Sequence, residues 1–441
     1  MTTGDLAGAP GRRWRWRALT GGTALLQEDS FRRLWLGRIF SHTALNAVLY
    51  VLLVLAVGEG SSSIKSALFI AAYLLPTATL GTISGVLVDR LPKNLVLTAV
   101  NVGRVGLMFV LVMSSVSLWT VYGVALLVAV TSQFAAPAEA AVLPHVVRSD
   151  QLTSANSANS FGGLISQIVG FAVLAPFFLN TVGPRPLFFA AAVLFAVAAG
   201  FFLLIQHVGV DEIDIDTTVD AVRDVRREFA HAWETLQRDT SAYMSVVIVV
   251  LASTASLVAV TLMPRFAHDV LDVPIRNAIY VFLPAAAGIL AGLRLVHLLE
   301  RRLPKGWLVG AGFCLLIASF LCLSLTEAFG GMIEGLTTLG PTAARIIATI
   351  AFSTGAAFSY SVLGVASRAL VNERIPLEIQ GRVFAAQVVL TNLASIPPIL
   401  LAGLLSEVFG VELVLGATTI VLGAVAAWTA AEARSRALAR A

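Results

Sequence analysis

A short polar motif occurs twice in this chain, once in each half. The first copy reads Asp89-Arg90-Leu91-Pro92-Lys93-Asn94, and the second reads Arg301-Arg302-Leu303-Pro304-Lys305-Gly306. Each copy lies in a short polar gap between two long apolar runs, so the repeated unit contains membrane helices. The sequence therefore predicts a duplicated helical bundle in a membrane. Transport is the first function to consider for such a bundle.

The composition excludes an ordinary soluble protein. Hydrophobic residues make up 57% of the 441 residues, charged residues make up 13%, and the mean hydropathy is +0.85. Because about 20 apolar residues cross a bilayer core, the apolar runs predict twelve spans. These lie near residues 37–57, 66–88, 95–116, 119–140, 157–180, 186–206, 243–264, 278–298, 306–326, 345–367, 382–405 and 411–431.

The predicted fold is an all-α membrane protein with twelve transmembrane helices in two six-helix lobes. A polar stretch divides the two groups of spans, and its apolar residues between Val219 and Leu236 recur at steps of three and four. This spacing favours a helix on the inner membrane surface, and the alternative is a solvated linker. The predicted units are the amino-terminal segment 1–33, the N lobe 34–207, the linker 208–241, the C lobe 242–431 and the tail 432–441.

Basic residues predict the orientation of the spans. With the amino terminus inside, five of the 30 basic residues are external, namely Lys65, Arg185, Arg265, Arg276 and Arg345. Three more lie within spans, namely Arg38, Arg104 and Arg294, and all the others are cytoplasmic. Both termini are therefore predicted to be cytoplasmic. The cytoplasmic basic residues anchor the spans beside anionic lipid, and this explains the net charge of +4. No nucleic-acid partner is therefore expected.

The sequence contains no nucleotide-binding loop, metalloprotease motif or serine-hydrolase motif, so neither an enzymatic activity nor a cofactor is expected. Cys314 and Cys322 are the only cysteines. Their spacing on one helix separates them by about 12 Å, which excludes a disulfide between them. They form no metal-ligand set, and no metal site is predicted. The energy for transport is therefore expected to come from an ion or substrate gradient.

The first motif, extended to Gly85-Val86-Leu87-Val88-Asp89-Arg90-Leu91-Pro92-Lys93, resembles the signature between the second and third helices of the major facilitator superfamily. The resemblance covers nearly the whole chain. Pro137-Ala138-Glu139-Ala140-Ala141-Val142-Leu143-Pro144 and Gly381-Arg382-Val383-Phe384-Ala385 are similar to the branch that contains macrolide exporters, siderophore exporters and lysophospholipid transporters. Membership implies transport by alternating access of the two lobes.

The gating motif comprises Gly85, Asp89, Arg90 and Lys93. Gly85 is expected to permit a close helix contact, and the Asp89 carboxylate to accept hydrogen bonds from a neighbouring helix amino terminus. The resemblance implies that Asp89 and the following basic residues stabilise the outward-open state. The second copy departs from this pattern, because Arg301 replaces the acid. Its counterpart residues are Glu300, Arg301, Arg302 and Lys305.

Charged residues within spans are functional candidates because a bilayer core disfavours them. Arg104 lies deep in the third span, where a ligand or gating role competes with a structural role bonded to helix carbonyls or to Asp89. Glu139 lies between Pro137 and Pro144, where broken helix geometry and burial without a cation would favour proton handling. Arg38 and Arg294 are expected to snorkel towards the membrane surface.

Relatives in this branch commonly carry an acidic residue near the start of the first span, and this chain has none there. His42 is the candidate substitute as a proton carrier, and its alternative is a simple hydrogen-bonding role. The remaining polar residues in spans are candidate cavity lining or bonds between helices. They are Asn46, Gln133, Gln167, Gln387 and Asn392.

The leading functional prediction is export of a hydrophobic or amphipathic small molecule, because few fixed charges lie in the spans. Antiport of a proton or another cation is what the resemblance implies for the coupling. The alternatives are a lysophospholipid flippase and a receptor or assembly factor without transport activity. The excess of arginine over the three lysines, together with abundant alanine and valine, indicates a bacterial source and the inner membrane. A monomer is expected. Substrate, direction, coupling ion, stoichiometry and oligomeric state are not determined by the sequence.

Overall fold

A computed structural model describes residues 25, 27–58, 60–114, 117–205 and 233–438. Within these ranges, twelve helices are long and apolar enough to cross a membrane, which confirms the predicted number. Spans 1 to 6 are Asp29–Val57, Ser63–Asp89, Lys93–Met113, Leu118–Val146, Ser149–Thr181 and Pro184–Leu203. Spans 7 to 12 are Thr240–Asp269, Ile275–Val296, Lys305–Ser324, Pro341–Arg374, Leu377–Phe409 and Val411–Leu438.

Most of the prolines inside spans do not interrupt their helices. Span 4 is one continuous helix through Pro137 and Pro144, and span 2 is continuous through Pro76. The expectation of broken geometry around Glu139 is therefore wrong. Neighbouring helices and local adjustments can accommodate the backbone groups that a proline leaves without a partner, so a proline does not by itself predict a break.

Two spans depart from a regular α-helix. Span 5 contains a π-helical segment, Ile168–Leu174, in which Gly170 lies directly against the backbone of Thr43 and the side chain of Asn46 on span 1. The helix of span 8 is divided into Ala278–Phe282 and Ala285–Leu299, and the second part continues three residues beyond the apolar span. Both irregularities lie on helices that contact the opposite half of the molecule.

The two lobes share one packing plan. In the N lobe, span 2 packs on span 4, and span 1 packs on span 6. The corresponding pairs in the C lobe are span 8 with span 10 and span 7 with span 12, and these also pack together. The duplicated motif therefore reflects a duplicated structure.

The buried apolar residues show where the lobes meet. One cluster crosses the lobe boundary at the external ends of the spans, where Val51 and Leu52 join Leu262 and Phe266. The clusters towards the cytoplasmic ends are confined to a single lobe, such as the one around Phe31 in the N lobe. The described buried core therefore closes the molecule on its external side.

The segment between the lobes is only partly described. The predicted linker runs from 208 to 241, and the part up to residue 232 lies outside the described residues. Trp233 packs edge-on against Tyr243, and Leu236 is buried beside span 7. The apolar positions at the end of the predicted stripe thus pack on the C lobe. The surface-helix prediction and the five predicted units remain predictions.

The structure contains a helix that the sequence analysis did not predict. It runs from Thr326 to Leu336 between spans 9 and 10, and we call it the external helix. Phe329 packs against Phe352 of span 10, and Gly330 lies against Arg345. Met332 and Leu336 remain exposed. At eleven residues the helix is too short to cross a bilayer, so a search for full-length spans does not find it.

Span 8 packs tightly on span 10 through two glycines. A Cβ atom at Gly288 would overlap the backbone oxygen of Thr354, and one at Gly292 would lie 2.8 Å from the backbone oxygen of Phe358. These glycines are four residues apart and lie on one face of the helix, the spacing that lets membrane helices approach closely.

We expect Gly288→Ala to destabilise the protein by about 1–3 kcal/mol, because the rigid backbone of span 10 cannot move aside. The measurement is the melting temperature of the purified protein. Gly310→Ala is the matched control, since its Cβ would meet nothing within 4 Å. Equal melting temperatures for the two variants would contradict the close contact.

Candidate functional site

A buried carboxylate links spans 1 and 4 in the cytoplasmic half of the N lobe. The Glu139 side chain is 10% exposed. Its Oε2 lies 3.0 Å from Nε of Arg38, and its Oε1 lies 3.1 Å from Nε2 of His42. Arg38 and His42 are four residues apart on span 1, so one helix face presents both to the carboxylate. Glu139 is thus held between a permanent cation and a titratable ring.

This arrangement corrects two expectations. Glu139 is buried, but it has cationic neighbours rather than none. Arg38 does not simply snorkel, because it lies beside the carboxylate with 28% of its side chain exposed. The pairing was not visible in the sequence, since residues about 100 positions apart meet only through the packing of span 1 on span 4.

Arg104 lies at the centre of a cradle of hydroxyl groups. It donates to the hydroxyls of Ser41 at 3.1 Å, Thr131 at 3.1 Å and Ser132 at 2.9 Å. Its guanidinium also lies over the ring of Phe195. The residue is only 2% exposed. These hydroxyl partners differ from the helix carbonyls and Asp89 that were expected for a structural role.

One cavity of about 560 Å³ in the N lobe is lined by all four residues described above, Arg38, His42, Arg104 and Glu139. Both polar and apolar side chains contribute to the lining of this cavity. The lining residues are Arg38, His42, Leu45, Tyr73, Arg104, Ser132, Ala135, Ala136, Glu139, Ala140, Leu143, Asn156, Asn159 and Ser160. We call this space the N-lobe cavity. Its size and mixed lining suit a small molecule.

The remaining polar candidates lie elsewhere. Gln133 donates to the hydroxyl of Thr77 and so links span 4 to span 2, which supports the alternative of a bond between helices. Asn46 packs against Gly170. Gln167, Gln387 and Asn392 do not line the N-lobe cavity. Their predicted roles remain predictions.

Several polar residues of the cavity were not among the candidates predicted from the sequence. Tyr73 comes from span 2, and Asn156, Asn159 and Ser160 come from span 5. The only signal was the run of small polar residues at 153–160, which stands out in an apolar span. The amide oxygen of Asn159 is buried and has no hydrogen-bond partner among the described residues.

The inner loops show part of the predicted gating motif. A Cβ at Gly85 would meet nothing within 4 Å, so the expected close helix contact is wrong in this conformation. Lys93 donates to the backbone oxygen of Asp89 at 2.6 Å. Arg90 and Arg382 each interact with another group, while Gly381 has open space around it.

The second copy of the motif makes a different contact. Lys305 pairs with Glu373 at 3.0 Å, which ties the start of span 9 to the end of span 10. Glu300 has a buried carboxylate oxygen without a hydrogen-bond partner in the described structure, and Arg301 and Arg302 are exposed. The two copies therefore differ in structure as they do in sequence.

A polar network joins the lobes on the external side. Glu407, near the end of span 11, accepts hydrogen bonds from the Ser62 hydroxyl at 2.7 Å and the Ile64 backbone amide at 3.3 Å. Both donors belong to the amino terminus of span 2, where the helix dipole favours a negative charge. Arg265 of span 7 binds the same carboxylate. Glu407 thus connects the C lobe to span 2 of the N lobe.

Two further contacts support the external closure. The hydroxyl of Tyr50 on span 1 donates to the backbone oxygen of Ile275 at 2.9 Å and accepts from the amide of Ile279 at 3.2 Å. The Asn180 side chain donates to Asn277 at 3.0 Å. Each contact joins an N-lobe residue to a C-lobe residue at the external end.

The sequence matches the profile of the Major Facilitator Superfamily over residues 34–396. The chain belongs to this superfamily. It is a multi-pass membrane protein and a transporter by family, and the duplicated six-helix lobes agree with the assignment. No curated protein matches the sequence.

Two solved structures illustrate the shared superfamily fold. A variant of the nucleoside transporter NupG is 11% identical, with a TM-score of 0.71, and the match covers 90% of this chain and 99% of that one. A bacterial homologue of the human lysosomal transporter Spinster, in an inward-facing and unoccupied conformation, is 14% identical, with a TM-score of 0.63. That match covers 91% of this chain and 96% of the homologue. At these identities the similarity shows a shared fold and gives no information about the substrate of this chain.

Proposed function

We propose that this superfamily member exports a hydrophobic or amphipathic small molecule by alternating access, coupled to protons. The observation that carries the proposal is the N-lobe cavity, in which a buried carboxylate and a histidine share a space with apolar walls. We further propose that it acts as a monomer in the bacterial inner membrane, without an enzymatic activity or a cofactor.

The coupling proposal rests on the contact between Glu139 and His42. Both side chains are of types that can exchange protons, and both line the N-lobe cavity. A proton bound between them weakens the attraction of the carboxylate for Arg38. The Arg38 side chain can then interact with other groups in the cavity. Proton binding therefore changes the charge of the cavity, so proton binding and substrate binding are linked through one set of side chains.

The test is transport by the purified protein in proteoliposomes. A panel of labelled amphipathic drugs is measured with and without an imposed pH gradient. Movement of a drug that requires the protein and accelerates with the gradient is expected. Gradient-independent movement would contradict proton coupling, and no movement of any amphipathic compound would contradict the export proposal.

A lysophospholipid flippase is the second candidate, and one observation favours it. A cavity of about 650 Å³ lies between spans 7, 11 and 12, and its lining is almost entirely apolar. Leu401 and Val421 in this lining are exposed on the protein surface, where the bilayer is expected. Movement of lysophospholipid without movement of drugs would favour this function.

We also propose that Asp89 controls the balance between conformations, as the resemblance of its motif implies. Asp89→Asn is expected to slow transport roughly tenfold, because loss of one charge-assisted contact disfavours the outward-open state by about 1.4 kcal/mol. Initial transport rates measure this effect. Asp150→Asn, another exposed inner acid, is the control, and an equal loss in both variants would contradict a specific role for Asp89.

A further inference from the structure

We infer that the transported amphipathic molecule carries an anionic head group and that Arg104 binds it in the N-lobe cavity. This inference rests on the proposed function and specifies its substrate class. It follows from the charge balance of the cavity, from the partners of Arg104 and from a buried amide without a partner.

The charges of the cavity do not balance. Its lining contains two arginines, Arg38 and Arg104, and one carboxylate, Glu139. Arg38 and His42 both lie within 3.1 Å of that carboxylate, so its charge is already engaged. The lining therefore carries a net positive charge even when His42 is neutral. A cationic head group would meet repulsion there.

Arg104 has no counter-ion in direct contact, and the carboxylate that acts on it from a distance, Glu139, is already engaged by Arg38 and His42. Its hydrogen bonds go to three hydroxyl groups, and no carboxylate in the described structure lies within salt-bridge distance of it. A buried charge without an opposite partner is unfavourable in a low-dielectric interior. The guanidinium has five N–H groups and suits the planar or tetrahedral oxygens of a carboxylate or phosphate. An anionic head group would supply the missing charge.

Asn159 supports a head group with more than one polar atom. Its amide oxygen is buried without a partner, and the residue is 6% exposed and lines the same cavity. A hydroxyl or amine next to the acidic group would satisfy this oxygen. The apolar walls include Leu45, Ala136 and Leu143, which are suited to the tail of an amphipathic molecule.

The experiment compares matched probes in proteoliposomes that contain the full chain. Fluorescently labelled dodecyl phosphate and dodecyltrimethylammonium share a tail and differ in head-group charge. We expect the phosphate to be transported at least tenfold faster than the ammonium probe by the wild-type protein, since a charge-assisted hydrogen bond corresponds to about one order of magnitude or more.

Arg104→Gln is expected to reduce this preference about tenfold. Arg38→Gln keeps the hydroxyl cradle intact and serves as the second variant if Arg104→Gln does not fold; it too is expected to lower the preference. Arg294→Gln, outside the cavity lining, is the control and should keep it. Equal or faster transport of the ammonium probe would overturn the anionic head group while export itself stands. Transport of neither probe, nor of any drug in the panel, would overturn both proposals.

Discussion

Glu139→Gln is expected to reduce transport driven by a pH gradient by about tenfold or more, while substrate exchange without a gradient continues. Glutamine keeps the size of the side chain and one acceptor oxygen, but it cannot carry a titrating proton or a charge. The coupling step therefore loses its titratable group, whereas the apolar walls of the cavity are unchanged. Initial rates in proteoliposomes, with and without the gradient, measure the two activities separately.

The matched control is Glu334→Gln on the exposed face of the external helix. It removes the same charge from a position far from the N-lobe cavity and should leave both activities unchanged. His42→Gln separates the two candidate proton carriers. If coupling survives in His42→Gln and is lost in Glu139→Gln, the carboxylate carries the proton; full coupling in Glu139→Gln would exclude it.

Glu407→Ala is expected to open the external side of the molecule. The substitution removes the acceptor that holds the amino terminus of span 2 and the counter-ion of Arg265 at the same time. Because the Glu407 side chain is 32% exposed, solvent screens part of this interaction. We expect the ratio of externally closed to externally open molecules to fall by about tenfold, which corresponds to about 1.4 kcal/mol.

Distances between spin labels measure this change. Labels at Val182 in the N lobe and Leu336 in the C lobe occupy exposed positions on the external side, and both native cysteines are first replaced by serine. Glu407→Ala should increase the fraction of long distances. Glu407→Gln, which keeps an acceptor for span 2, should give a smaller increase. An unchanged distance distribution in both variants would show that the polar network does not hold the closure.

Much of the fold could be predicted from the sequence because the membrane restricts the alternatives. A run such as 186–206 has few options besides a spanning helix, and the repeat around Pro92 and Pro304 indicated two lobes. The π-helical segment of span 5 was not predicted, and it coincides with the close approach of Gly170 to span 1. Local composition carries no signal for such a contact.

The site was predictable as a set of residues but not as an arrangement. Arg104, Glu139 and His42 were candidates because polar groups are rare in these spans. Their partners depend on the rotation of each helix about its axis, which tertiary packing sets. Glu407 and Arg265 lie near span ends, where charged residues are common, so nothing in the sequence distinguished them as contacts between the lobes.

The external helix makes the two lobes unequal in the bilayer. It is fixed to span 10 by Phe329 and to span 12 by a hydrogen bond from the Glu327 amide to Glu412, and its exposed apolar residues are suited to the outer lipid interface. The corresponding connection in the N lobe, 114–117, is too short for such a helix. The C lobe thus has an additional interfacial helix, which is expected to resist tilting of that lobe in the bilayer. The N lobe is therefore expected to make most of the angular movement relative to the membrane plane.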